Sequence, residues 1–139
     1  MLTKIDSLQG VAFTGSLPTA KKIQSNLIEY QNQIVPLIAE TGGINSMLVD
    51  SSALLEQVTD DVIRSAFDSA GQRCSALRVL CIQEEIYEEL VDMIKGNMIT
   101  QKIGDPNYFD TDIGPIINKE AILNLNKYLS LIHISEPTR

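Results

Sequence analysis

Short apolar runs alternate with stretches of helical period along this chain, and that alternation restricts it to a layered α/β fold with a mainly parallel sheet. Gly10-Val11-Ala12-Phe13 reads as a strand that Thr14-Gly15-Ser16 breaks. Pro18 stands where a first helical turn tolerates proline, and Ala20, Ile23 and Leu27 share one face of a helix running to Tyr30. A second apolar run, residues 34–39, ends at Glu40-Thr41-Gly42-Gly43, and a third, residues 46–49, follows at once, so two strands are expected to meet at a glycine turn. Asp50, Ser51 and Ser52 offer capping oxygens to a helix whose Leu55, Val58, Val62, Ala66, Phe67 and Ala70 recur at three and four residues until Gly71 stops it. Residues 77–82 form a β-rich run. Ile86, Leu90, Ile94 and Met98 then line a helix whose acidic residues Glu84, Glu85, Glu88 and Glu89 read as a solvated face at a helix start. Gly104-Asp105-Pro106 and Gly114-Pro115 bracket a loop, and residues 119–129 complete a further helix.

A chain of 139 residues has room for one compact domain but not for a two-lobed nucleotide-dependent enzyme. Its formal net charge of −7 argues against nucleic acid or an anionic membrane as partner, because either calls for clustered Lys and Arg. No apolar run approaches the roughly 20 residues that span a bilayer, and residues 1–6 lack the layout of a secretory signal, which makes a cytoplasmic setting the expectation. The two cysteines, Cys74 and Cys81, match no zinc or redox spacing, so no metal is expected and both are read as free thiols.

Three places could carry chemistry. Thr14, Gly15 and Ser16 lie between a strand and a helix, where backbone N–H groups and the helix dipole favour a phosphate; a plain helix cap is the simpler reading. Glu40 leaves a strand for two glycines that let a flat ligand approach, which suits a general base as well as a solvated turn. Cys74 follows Gly71-Gln72-Arg73 between a helix and a strand. Arg73 and loop amides could favour its thiolate, although a lone cysteine also serves as a small hydrophobe, the description that fits Cys81 inside its strand. His133 has no partner at ligand spacing and is read as nonfunctional.

In order and spacing, Phe13-Thr14-Gly15-Ser16, Glu40-Thr41-Gly42-Gly43 and Gly71-Gln72-Arg73-Cys74 resemble the motifs of the aldehyde dehydrogenase superfamily, with 34 residues from Glu40 to Cys74. Thr111-Asp112-Ile113-Gly114-Pro115 follows Gly104-Asp105-Pro106 in the family's order. Residues 34–43, 49–53 and 69–78 are similar to the L-glutamate γ-semialdehyde (1-pyrroline-5-carboxylate) dehydrogenase half of the bifunctional proline utilisation A enzymes. Thr41, where most members carry leucine, points to that branch. The resemblance covers roughly residues 9–130.

That resemblance implies a fragment of the aldehyde dehydrogenase fold: residues 1–42 as the end of an NAD-binding domain, 43–130 as the N-terminal part of a catalytic domain, and 131–139 as a non-native tail. It implies that Cys74 attacks the aldehyde, that Glu40 activates the water that hydrolyses the thioester, and that Ser75 hydrogen-bonds the substrate carboxylate. Thr14, Gly15 and Ser16 would meet the NAD pyrophosphate, with Thr41 and Gly42 near the nicotinamide. The carboxylate and the thiol are expected to share one reaction centre. The family's oxyanion-hole asparagine, its adenosine-ribose contacts, its later catalytic-domain strands and its oligomerisation arm have no counterpart here. The isolated chain is therefore expected to be inactive, and the parent enzyme to be a homo-oligomer acting on a small aldehyde. Two other readings stand beside this one: another aldehyde dehydrogenase branch, and a non-catalytic α/β segment that binds a partner through an open sheet edge. A nucleotide-binding dehydrogenase of another family lacks support, since no Gly-x-Gly-x-x-Gly follows a strand.

Overall fold

A computed structural model describes residues 2–135, which fall into two compact units, residues 1–44 and 45–139. The architecture is an incomplete α/β one, with two separate two-stranded parallel sheets.

In the first unit, β1 (Val11–Thr14) pairs in parallel with β2 (Leu37–Glu40), and α1 (Leu17–Tyr30) connects them. The parallel pairing needs a helical crossover of this kind. Ser16 caps α1 by accepting the Thr19 N–H at 3.4 Å, and Pro18 occupies the first turn, where its missing N–H leaves nothing unsatisfied. Ala20 and Leu27, seven residues apart and so on one face, are the buried residues of α1. Residues 34–36 lie outside β2, although the Pro36 carbonyl still accepts the Val11 N–H at 2.9 Å. The segment before β1 folds back on α1: the Gln31 carboxamide donates to the carbonyls of Thr3 (2.7 Å) and Ile5 (3.2 Å), and the Lys4 ammonium sits 3.9 Å from the Tyr30 ring centroid.

The second unit pairs β3 (Asn45–Val49) with β4 (Leu77–Ile82), again in parallel, with a register shift between Asn45 and Ser46. Four residues, Gly42 and Gly43 among them, join β2 to β3 as expected, and each of these strands takes its parallel partner from a different stretch of chain. α2 (Leu55–Phe67) packs on β4 and on α3 (Tyr87–Thr100). Val49, Val62, Ile63, Ala76, Leu77 and Leu90 form the buried core, and buried Thr59 satisfies its hydroxyl on the Leu55 carbonyl at 2.8 Å. Glu84, Glu85, Glu88 and Glu89 are all exposed, as a solvated face requires, but Ile86 precedes α3 rather than lining it.

Two details of α2 correct the sequence reading. Leu54 is its N-cap and, being apolar, makes no side-chain capping bond, while Asp50 accepts instead from the Ser52 N–H (2.8 Å) and hydroxyl (2.6 Å). The helix also ends at Phe67, not Gly71. A 3₁₀ turn, Asp68–Gly71, follows, with Ser69, Ala70 and Gly71 all at positive φ (57°, 54° and 67°).

The hydrogen bonds from Ser52 hold the Asp50 carboxyl below the ordinary aspartate value. A carboxyl depressed in the folded state contributes stability above its unfolded value, and that contribution is lost as pH falls through the lower folded value. Ser52→Ala should return the Asp50 midpoint upward toward the ordinary value in a carboxyl-resolved NMR titration; an unmoved midpoint would contradict the turn as its cause.

After α3 the chain makes a closed excursion. Ile103 bridges Ile113, the Asp112 carboxylate accepts the Lys102 N–H at 2.8 Å, and Lys102 also ion-pairs with Asp110. Asp105 closes an Asx turn on Asn107, and the Thr111 hydroxyl donates to the Asp105 carbonyl at 2.8 Å. α4 (Lys119–Ser135) starts with Asn118 accepting the Ala121 N–H at 2.8 Å and continues past residue 129, where the sequence reading stops it. Residues 136–139 of the tail, and the side chain of His133, lie outside the described residues.

Candidate active site

The register of β1 and β2 places Thr14 opposite Glu40, and the Gly15 N–H extends the ladder by donating to the Glu40 carbonyl at 3.0 Å. The strand-to-helix turn and the glutamate thus come to the same carboxyl end of a parallel pair, the end at which open α/β sheets bind ligands. Thr14, Gly15, Ser16, Glu40 and Gly42 are exposed there, and Thr41 is half-buried. A Cβ on Gly15 would fall 2.6 Å from Phe13 Cζ, whereas one on Gly42 would meet nothing within 4 Å. Both readings of Ser16 hold physically. Its hydroxyl caps α1 and lies 2.9 Å from the Thr19 hydroxyl, and this pair sits at a helix N-terminus whose first turn has no acidic residue to repel an anion. These groups fit a pyrophosphate. A largely apolar cavity of about 550 Å³ in the same unit is lined by Thr3, Ile5, Leu8, Val11, Phe13 and Ile23, and by none of the candidate ligand-binding residues.

In the second unit, Cys74 and Ser75 are exposed on the loop between the 3₁₀ turn and β4. Three consecutive residues in the left-handed region lead into this loop, a conformation that costs non-glycine residues about 1–2 kcal/mol each and concentrates at functional sites. Side-chain donors hold its backbone. Asn45 Nδ2 donates to the carbonyls of Cys74 (2.7 Å) and Ala76 (3.0 Å), and Arg78 donates to those of Gly71 (2.7 Å) and Arg73 (3.4 Å). The Arg73 guanidinium does not serve Cys74 as expected. It donates to the carbonyls of Arg64 (2.6 Å) and Ser65 (3.4 Å), because the end of α2 leaves those groups without intrahelical partners. Gln72 completes the anchoring through the Ser69 carbonyl at 2.9 Å.

Sequence reasoning missed Asn45, a neutral amide outside every motif, and gave Gln72 no role of its own within the Gly71-Gln72-Arg73-Cys74 motif. Cys81, read as an inert small hydrophobe inside its strand, lies in β4 as expected but is exposed. Among the described residues no His, Cys, Asp and Glu cluster could hold a metal, and no helix is long and apolar enough to cross a membrane.

Comparison with known proteins gives the family. The aldehyde dehydrogenase family matches residues 1–134. The bifunctional protein PutA of Escherichia coli is 52% identical over 131 residues, covering 92% of this chain and 10% of that protein. The 1-pyrroline-5-carboxylate dehydrogenase of Bacillus subtilis is 32% identical over 124 residues, covering 87% of this chain and 24% of that protein. The crystal structure of a variant of Bradyrhizobium japonicum Proline Utilization A superposes with a TM-score of 0.90 at 46% identity, over 98% of this chain and 14% of that one. The chain belongs to the aldehyde dehydrogenase family, and it is similar to the proline-utilisation and 1-pyrroline-5-carboxylate dehydrogenase members. It spans about a tenth of the length of the PutA relatives it matches.

Proposed function

We propose that this chain is part of an NAD-dependent aldehyde dehydrogenase that oxidises L-glutamate γ-semialdehyde to glutamate in proline catabolism. The observation that carries the reading is the exposed Cys74 on a strained loop whose backbone four side chains, Asn45, Gln72, Arg73 and Arg78, hold in place. A thiol so presented suits nucleophilic attack on an aldehyde carbon, giving a thiohemiacetal and then a thioester. Bound NAD supplies the hydride acceptor for that oxidation. Glu40 is the base that activates water against the thioester, and Ser75 is the donor to the substrate carboxylate. Thr14, Gly15 and Ser16 would hold the pyrophosphate, with Thr41 and Gly42 toward the nicotinamide. On the same reading, residues 1–42 end the NAD-binding domain, 43–130 begin the catalytic domain and 131–139 are not native to the enzyme. The parent is a cytoplasmic homo-oligomer.

The chain alone should form no NADH from NAD and glutamate semialdehyde, because the other groups that bind and polarise the substrate belong to the rest of the enzyme. Losing one oxyanion donor alone costs about 10²–10³ in rate in comparable enzymes. Absorbance at the NADH band, followed with the purified chain, tests this, and robust turnover would contradict it. Alkylation of the same sample separates the two classes of function. Selective modification of Cys74 over Cys81 supports the enzymatic reading. Concentration-dependent association without that selectivity favours a segment that only pairs through its open strand edges.

A further inference from the structure

Gln72 uses its whole carboxamide. Nε2 donates to the Ser69 carbonyl at 2.9 Å within its own loop and to the Pro115 carbonyl at 3.3 Å, while Oε1 accepts the Ile117 N–H at 2.8 Å. The last two contacts cross 43 and 45 residues of sequence. They reach the chain just before α4, at the end of the excursion that the Ile103 to Ile113 bridge closes. A primary amide can do this because it carries donors and an acceptor in one rigid plane. Neither a carboxylate nor an ammonium could satisfy both a carbonyl and an N–H in that geometry.

We propose that Gln72 is a positioning residue that ties the Cys74 loop to residues 115–117, so that the setting of the thiol depends on the downstream segment as well as on β3 and α2. Asn45 fixes the far side of the loop through the Cys74 and Ala76 carbonyls, and Gln72 fixes the near side, leaving Cys74 between two amide anchors. The strain in Ser69 and Ala70 makes the anchor necessary: a loop held in left-handed backbone relaxes once its tethers are cut. This inference rests on the reading of Cys74 as the nucleophile.

The test uses the 139-residue chain with Gln72→Ala and Gln72→Glu, and Cys81 as an internal reference thiol. Amide hydrogen exchange is followed at Ile117, whose N–H bonds Gln72, and at Ala76, whose N–H bonds the Arg73 carbonyl at 3.2 Å. The pH profile of iodoacetamide alkylation is read separately at Cys74 and Cys81 by peptide mass. Gln72→Ala should speed exchange at both amides on the order of tenfold, the loss expected for a hydrogen bond or two, and should shift the profile of Cys74 but not that of Cys81. Gln72→Glu keeps an acceptor for Ile117 but loses both donors, so Ile117 should stay protected while Ala76 still exchanges fast. The proposal is overturned if Ile117 alone loses protection while Ala76 and the Cys74 profile hold, or if both thiols shift together, the mark of general loosening. Failure of the nucleophile reading looks different: Cys74 would alkylate no faster than Cys81 in the unsubstituted chain, with the exchange responses unchanged.

Discussion

Leu90→Ala should destabilise the second unit by about 2–5 kcal/mol, the range for deleting a large buried aliphatic side chain. Leu90 is fully buried at 0% exposure, on the face of α3 in the unit where α3 packs against α2. Among the described residues of that unit, the other buried apolar side chains are Val49, Val62, Ile63, Ala76 and Leu77. Domains are stable by only about 5–15 kcal/mol, so the loss removes a large share of the total. A drop in the urea midpoint, monitored by far-ultraviolet circular dichroism, measures it. A loss below about 1 kcal/mol would show that α3 does not carry the unit.

Gly71→Ala should cost about 1–3 kcal/mol through the backbone rather than the core. Gly71 sits at φ 67°, and an added Cβ would lie 2.8 Å from the Ala66 carbonyl oxygen and 3.3 Å from Arg78 Nη1. The first neighbour is backbone at the end of α2 and cannot swing aside. The second belongs to the guanidinium that holds the Gly71 and Arg73 carbonyls. Gly42→Ala is the matched control, since its Cβ would meet nothing within 4 Å. Thermal unfolding should separate the two substitutions clearly; equal midpoints would mean that the turn before Cys74 accepts a side chain after all.

Elements set by local pattern were legible in the sequence. β4 occupies the residues its β-rich run indicates, and α1 ends at Tyr30 where its apolar face runs out. The order of the glycine, glutamate and cysteine motifs was enough to indicate the aldehyde dehydrogenase family. What depended on distant partners was not legible. Nothing local to residues 37–49 says that β2 belongs to β1 and β3 to β4, because parallel pairing is decided across a crossover. Asp50 looked like a helix cap, but a two-residue Asx turn onto Ser52 competes for the same oxygen and wins. Arg73 looked like a neighbour for the thiol, yet the open carbonyls at the end of α2 are closer claimants. Of the candidate groups, the placement of Glu40 beside Thr14 follows from a one-residue choice of register that composition cannot reveal.

The tethers of the thiol loop also set an order of events during synthesis. Asn45 is translated before Cys74, but Pro115 and Ile117 come well after it. A chain that has emerged through Cys74 and not yet through residue 117 therefore has the Asn45 partner of this loop in hand while the Pro115 and Ile117 partners of Gln72 are still to come.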